Sequence, residues 1–193
     1  DIDLIKNIHK SAGYYFVDVV SSVNKDEDLN SIRLKLDVIQ GQRAKIKEIF
    51  FIGDKKIKDK KLLEIIASEE HKFWKFVSQK VYLNEDIVKL DTRLLENYYK
   101  NQGYYDVEVL NSFAELNDEA SFKLVFNINA GKKYFFNELT LNLPEDYEEK
   151  DFKDIKKIFK KLKGKKYSLN SVDEILNEID KIASLKLYDF IDA

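Results

Sequence analysis

The feature that most limits what this chain can fold into is an internal repeat without gaps. Shifting the sequence by 90 residues lays Gly13-Tyr14-Tyr15-Phe16-Val17-Asp18-Val19 on Gly103-Tyr104-Tyr105-Asp106-Val107-Glu108-Val109, and ten of the first 23 positions are then identical. At the same shift Ile32, Leu34, Leu36 and Val38 fall on Phe122, Leu124, Phe126 and Ile128, and Gly41 falls on Gly131. A period of this size marks an array of structural modules. Each module must then carry its own small core.

Within the period, Ile32 to Val38 alternate with Arg33, Lys35 and Asp37, and Phe122 to Ile128 repeat the pattern. A period of two is that of a strand with one face inward. A shorter strand precedes each one, Phe16 to Val23 and Asp106 to Phe113, behind polar tips that start at Asn24 and Asn117, so each pair reads as a hairpin. Upstream of the second hairpin, Ile87, Leu90, Leu94, Leu95 and Tyr98 recur at helical spacing. Asn84 is placed to cap that helix and Gly103 to end it. Ile46 to Ile52 reads as an opening strand, Gly53-Asp54 as a turn, and Asp59 to Ala67 as a short helix with Leu62, Leu63 and Ile66 inward.

The predicted class is therefore α+β, with tandem β-α-α-β-β modules. Each is a three-stranded mixed sheet covered on one face by two helices. The predicted organisation is the back half of a module over 1–43, a whole module over 44–133 and the front of a third over 134–193. The third unit contains Pro144 and a helix marked by Phe152, Ile155, Phe159 and Leu162. A second helix is expected from Ser168 to Leu185, and a strand from Tyr188 to Asp192, with Leu187 where the other repeats carry glycine. Short connectors at Gly41-Gln42-Arg43 and Gly131-Lys132-Lys133 make Gly41 and Gly131 the expected hinges of an elongated, articulated row.

Composition narrows function mainly by exclusion. Thirty-three basic residues against 35 acidic ones give a net charge of -2, which lacks the field of a nucleic-acid binder. There is no cysteine, and His9 and His71 share no ligand spacing, so no metal site and no cofactor is expected. No phosphate loop, Gly-x-Ser-x-Gly elbow or carboxylate cluster beside a base occurs, and the expectation is a protein that is not an enzyme. No apolar run has the roughly 20 residues of a membrane-spanning helix. The absence of methionine suggests a chain cut from something longer.

The chemistry left is that of surfaces and edges. Nine lysines between Lys150 and Lys166 read as the solvated face of an amphipathic helix, with attraction to phosphate-rich surfaces as the other reading. Asp18 and Glu108 lie between apolar neighbours and are expected to face outward. Tyr14-Tyr15 and Tyr104-Tyr105 are expected to pack, with their hydroxyls reaching water. Phe73-Trp74-Lys75-Phe76 either closes into a private satellite core or forms a partner-docking loop through Phe73, Trp74 and Phe76.

Two helices between the opening strand and the hairpin let that strand run parallel to the last one. The middle strand is then outermost, with free N–H and C=O groups on which an extended partner could add itself. The candidate edge residues are Asp106, Val107, Glu108, Val109, Leu110, Asn111, Ser112 and Phe113, with Phe16, Val17, Asp18 and Val19 in the first unit.

These residues together resemble the polypeptide-transport-associated (POTRA) repeats of the BamA family of outer-membrane β-barrel assembly factors. The resemblance rests on Ile46 to Asp54, on the helix ending Leu94-Leu95-Glu96-Asn97-Tyr98-Tyr99-Lys100-Asn101-Gln102-Gly103-Tyr104, and on the hairpin through Ile128-Asn129-Ala130-Gly131. It implies a periplasmic arm whose parent carries a C-terminal outer-membrane barrel. Unfolded outer-membrane polypeptides and accessory lipoproteins are the implied partners, and β-augmentation at the second strand of a repeat is the implied mode of binding. Related repeats in two-partner secretion transporters and organelle import channels imply the alternative of a spacer arm that docks folded partners.

Overall fold

A computed structural model describes residues 2–26, 30–74, 78–117, 120–145 and 147–186, the side chains of 112–117 excepted. The elements in order are α1 (Ile2–Ser11), β1 (Asp18–Asp26), β2 (Ser31–Ile39), β3 (Lys45–Asp54), α2 (Asp59–Leu63), α3 (Glu85–Asn101), β4 (Glu108–Asn117), β5 (Ser121–Asn129), α4 (Lys153–Leu162) and α5 (Leu169–Lys186). The strand expected from Tyr188 to Asp192 and the position of Leu187 lie outside the described residues. The chain divides into two compact units, Asp1–Leu95 with Val109–Ile128 and Glu96–Glu108 with Asn129–Ala193.

The three-stranded sheet has the order β3-β5-β4, so the last strand is central. The Lys45 N–H donates to the Ala120 carbonyl at 2.7 Å, and Gly53 lies against the Ile128 carbonyl. Residue numbers rise together along β3 and β5, which makes that pairing parallel and the sheet mixed. One face closes the core, where Phe51 stacks on Phe126 at 5.6 Å among buried Ile46, Leu62, Leu83 and Leu124.

Helix α3 begins where expected. Asn84 Oδ1 accepts the N–H groups of Asp86 at 2.9 Å and Ile87 at 3.1 Å, two of the donors that a helix start leaves without partners. Its buried stripe, however, is Val88, Asp91, Leu95 and Tyr99, whereas Leu90 of the expected set is exposed. Within that stripe Asp91 is a fully buried carboxylate that accepts the Ala67 N–H at 2.5 Å and the Ser68 N–H at 3.2 Å. A reading that follows apolar residues alone skips this position.

Helix α2 stops at Leu63, short of the expected Ala67: the Glu64 and Ile65 N–H groups close tight turns onto the Lys61 and Leu62 carbonyls, and the Ala67 and Ser68 N–H groups beyond them go to Asp91. Leu62 and Ile66 are buried as expected, but Leu63 is exposed on the outer face.

The repeat is legible atom by atom where a helix passes into its strand. Gly103 has φ +99, and the Tyr104 N–H reaches back to the Tyr99 carbonyl. Gly13 has φ +92, and the Tyr14 N–H reaches the His9 carbonyl. Both are left-handed helix ends of the kind that favour glycine.

Each compact unit contains one of the two repeated glycine turns with the connector that packs against it, and the two share a plan. The Ala44 N–H donates to the Gly13 carbonyl, and 90 residues later the Tyr134 N–H donates to the Gly103 carbonyl, both at 2.8 Å. The bridge Lys45–Tyr82 is matched by Phe135–Lys166, and Arg43 over Tyr14 is matched by Lys133 over Tyr104. Outside that single bridge at Phe135, residues 134–143 form no regular strand, unlike β3 with which they align at the 90-residue shift. Its core is nevertheless formed, with Phe152, Ile155, Ile175, Ile179 and Ile182 packed together. The lysines of α4 lie mostly on the solvent side of that core, as expected.

Candidate functional site: an open strand edge beside a helical wall

The two outer strands of the mixed sheet have different edges. Along β3, the loop between α2 and α3 supplies partners: the His71 N–H donates to the Ile46 carbonyl at 2.6 Å, and Glu70 Oε1 accepts the Ile49 N–H at 3.2 Å. The bridge between Lys45 and Tyr82 extends that cover. Strand β4 has β5 as its one strand neighbour, and among the described residues no loop or helix backbone bonds to 108–111.

Beside β4 lies a groove of about 410 Å³, walled by Lys89, Thr92 and Arg93 of α3 and by Asn111 of the strand. Asn111 Nδ2 donates to Thr92 Oγ1 at 3.0 Å, and that hydroxyl donates to the Val88 carbonyl at 3.1 Å. Strand and helix are thus pinned together at the groove. Alternation puts Val107 and Val109 into the core and turns Glu108 and Leu110 outward, with Leu110 68% exposed. Asp18 faces outward between buried Val17 and Val19 in the same way.

The strands begin two residues later than expected. Phe16 and Val17 precede β1, and Asp106 and Val107 precede β4. Both helix-to-strand connections are spent on packing. Phe16 lies against Phe122 at 6.0 Å, and Asp106 Oδ2 accepts the Tyr134 hydroxyl at 2.5 Å, a contact that raises the pKa of that hydroxyl. Ser112 and Phe113 belong to β4 by their backbone.

The tyrosine pairs pack as expected: Tyr15 on Phe122, Tyr104 on Tyr99, and Tyr105 on both Tyr134 and Tyr167. The Tyr15 hydroxyl departs from expectation by donating to Glu85 Oε1 at 3.2 Å. Burial, and then the Glu85 carboxylate, push its pKa well above that of ordinary tyrosine.

The satellite-core reading of the aromatic loop does not hold for the two aromatics described. Phe73 is 84% exposed and Trp74 is 59% exposed, their rings meeting edge to face at 4.5 Å. Phe76 lies outside the described residues. Three apolar side chains in four positions do not report whether a neighbour is near enough to cover them. The Trp74 ring instead has the Lys72 ammonium 5.9 Å from its centre.

The expected hinges, Gly41 and Gly131, have φ +69 and +67. Three residues beyond each, the hydrogen bonds of Ala44 and Tyr134 fix the chain again. Arg43, inside the first connector, is held between Tyr14 and Tyr82 with its guanidinium 3.9 Å from the Tyr82 ring, and it donates to Gln79 Oε1 at 2.5 Å. The sequence signal that could have found this contact is the position of Arg43 next to the repeat boundary.

Among the described residues no group of three or more His, Cys, Asp or Glu side chains is placed to hold a metal, and no helix is long and apolar enough to cross a membrane. The arrangement offers hydrogen-bonding edges and a charged groove. It defines the class of a tandem β-α-α-β-β module protein that presents an open strand edge.

Comparison with known proteins places that class. Residues 44–131 match the POTRA family, described as surface antigen variable number repeat. That match covers the three-stranded sheet together with α2 and α3, the middle of the chain. The chain is similar to the outer membrane protein assembly factor BamA of Neisseria meningitidis serogroup B, at 22% identity over 78% of this chain and 19% of the relative. BamA of Neorickettsia risticii matches at 24% identity over 76% of this chain and 20% of the relative. The chain therefore spans about a fifth of the length of these curated relatives. The crystal structure of Haemophilus influenzae BamA POTRA3-5 shares the fold with a TM-score of 0.58 at 12% identity, covering 93% of this chain and 67% of that one.

Proposed function

We propose that this chain is a periplasmic POTRA segment of an outer-membrane protein assembly factor whose parent carries an outer-membrane barrel. Its role is to receive unfolded outer-membrane polypeptides, and accessory lipoproteins, by β-augmentation at strand edges. The observation that carries the reading is the asymmetry of the middle sheet, in which loop residues Glu70 and His71 cover β3 while β4 keeps a free flank beside a groove. An incoming strand gains main-chain hydrogen bonds there, and pockets for alternate side chains supply selectivity. β1 offers the equivalent edge in the first module. Gly41 and Gly131 serve as the points at which the connectors bend.

The test is site-specific photo-crosslinking to an unfolded outer-membrane protein, with the photoreactive residue at Glu108 or Leu110 on β4 and at Lys47 on β3. Crosslinks from β4 and few from β3 are expected. Equal yields from both strands, or none from β4, would overturn the reading.

A second reading is favoured by the exposure of Phe73 and Trp74, a pair of rings standing clear of the module surface. Buried aromatic anchors dominate many interfaces. In this reading the segment is a spacer, as in related transporters, that docks a folded partner through this loop. Trp74→Ala then abolishes capture of that partner and leaves the β4 crosslinks intact; undiminished capture would remove this reading.

A further inference from the structure

The groove beside β4 carries a charge pattern that selects among extended chains. We infer that it prefers segments presenting carboxylates at two alternate positions, k and k+2, with an apolar residue between them. The inference rests on β4 accepting an added strand.

Two cations face the groove from α3. Lys89 and Arg93 are both exposed, and among the described residues no carboxylate pairs with Arg93. Lys89 pairs with Asp86 at 3.7 Å, in an exposed pair of the kind that contributes little. The remaining wall is polar and pinned by the hydrogen bond from Asn111 to Thr92. A strand laid along β4 thus meets two exposed positive charges on its helix side, one of them in a weak surface pair. Carboxylates are the side chains that complement them.

The spacing fits that occupant. Lys89 and Arg93 are four residues apart on a helix, an axial rise of about 6 Å. Same-face side chains of a strand repeat every two residues, about 6.7 Å. Acidic side chains at k and k+2 can therefore each meet one cation. The residue between them points to the opposite face of the sheet, beside exposed Leu110, where an apolar side chain is favoured.

The first module supplies a built-in contrast. At the 90-residue shift Arg93 corresponds to Asp3, and Asn111 corresponds to Ser21. The middle module therefore recruits acidic strands while its neighbour's edge does not. This selectivity is local, since the chain as a whole has a net charge of -2.

The experiment uses the whole 193-residue chain and fluorescent ten-residue peptides followed by anisotropy. One peptide alternates Glu with Ile, a second alternates Lys with Ile, and a third is the Glu peptide with alternate backbone amides N-methylated. The Glu peptide is expected to bind about fivefold tighter than the Lys peptide, the scale of two exposed ion pairs, and to lose that margin as salt rises. In the Lys89→Glu/Arg93→Glu variant, whose fold is checked by circular dichroism, the preference reverses. Equal binding of the two peptides, or an unchanged preference in the double variant, overturns the inference while a loss on N-methylation still upholds strand addition. Undiminished binding of the N-methylated peptide overturns strand addition itself. Absence of binding by every peptide overturns both.

Discussion

Strands β2 and β5 occupy the same place in successive repeats and carry the same alternation, yet one is exposed along its whole length and the other is largely buried. Leu34 is 62% exposed, whereas Leu124, its counterpart 90 residues on, is fully buried. Around β5 stand a parallel β3, a hairpin partner β4 and two helices; no residue of this sequence aligns with β3 or α2 at the 90-residue shift ahead of β2, which among the described residues has β1 as its strand partner and α1 nearby. A period of two states which side chains share a face. It does not state what, if anything, covers that face, and the stabilisation from burial belongs to the cover.

The largest expected break in the comparison is Leu124→Ala, which should cost about 2–5 kcal/mol by lost burial and a cavity. Leu34→Ala should stay within about 0.5 kcal/mol, as at exposed sites. Urea unfolding followed by far-ultraviolet circular dichroism measures both, and equal costs would mean that β2 is covered. Where the two modules agree, substitutions should agree as well. Gly103→Ala and Gly13→Ala are each expected to cost about 1–2 kcal/mol, because both place a side chain at positive φ.

The junctions differ in degree. Arg43→Ala removes a guanidinium stacked 3.9 Å from the Tyr82 ring, and about 1–2 kcal/mol should be lost. Lys133→Ala, with its ammonium 5.2 Å from Tyr104, should lose about 0.5 kcal/mol. Thermal unfolding of the two variants ranks them.

The smallest effect is a pH slope confined to the middle module. Burial raises the Asp91 pKa, against the opposing pull of the Ser68 and Ala67 hydrogen bonds and the Lys80 charge. The folded protein thus holds that proton more tightly than the unfolded chain. Its stabilising contribution is complete below the unfolded value of about 3.9 and is lost as pH rises through the raised folded value. Asp91→Asn removes this term, so the difference between variant and parent should change across that window and be flat above it. Denaturation midpoints at successive pH values give the curve.

Much of the architecture was legible in particular residues. The recurrent Gly13 and Gly103 mark left-handed helix ends, Asn84 marks a cap, and Phe122 to Ile128 mark the inward face of a central strand. The order of strands followed from two helices intervening before a hairpin. The outer position of β4 in the sheet followed as well, with the strand beginning two residues later than expected, at Glu108. The buried stripe of α3 was not fully legible, since it includes an aspartate whose partners lie 23 and 24 residues away. Nor was the cover over β3, which depends on Glu70 and His71 reaching back to Ile49 and Ile46.

The chain by itself determined the strand and helix segments, their period and which side chains of a strand share a face, because those depend on backbone geometry and on neighbours a few residues away. Only tertiary structure decided which faces were covered, which outer strand kept its hydrogen-bonding groups free, and that Phe73 and Trp74 stand in solvent. Each of those outcomes is a distance between groups remote in sequence, and the spacing of residue types along a chain carries no record of it.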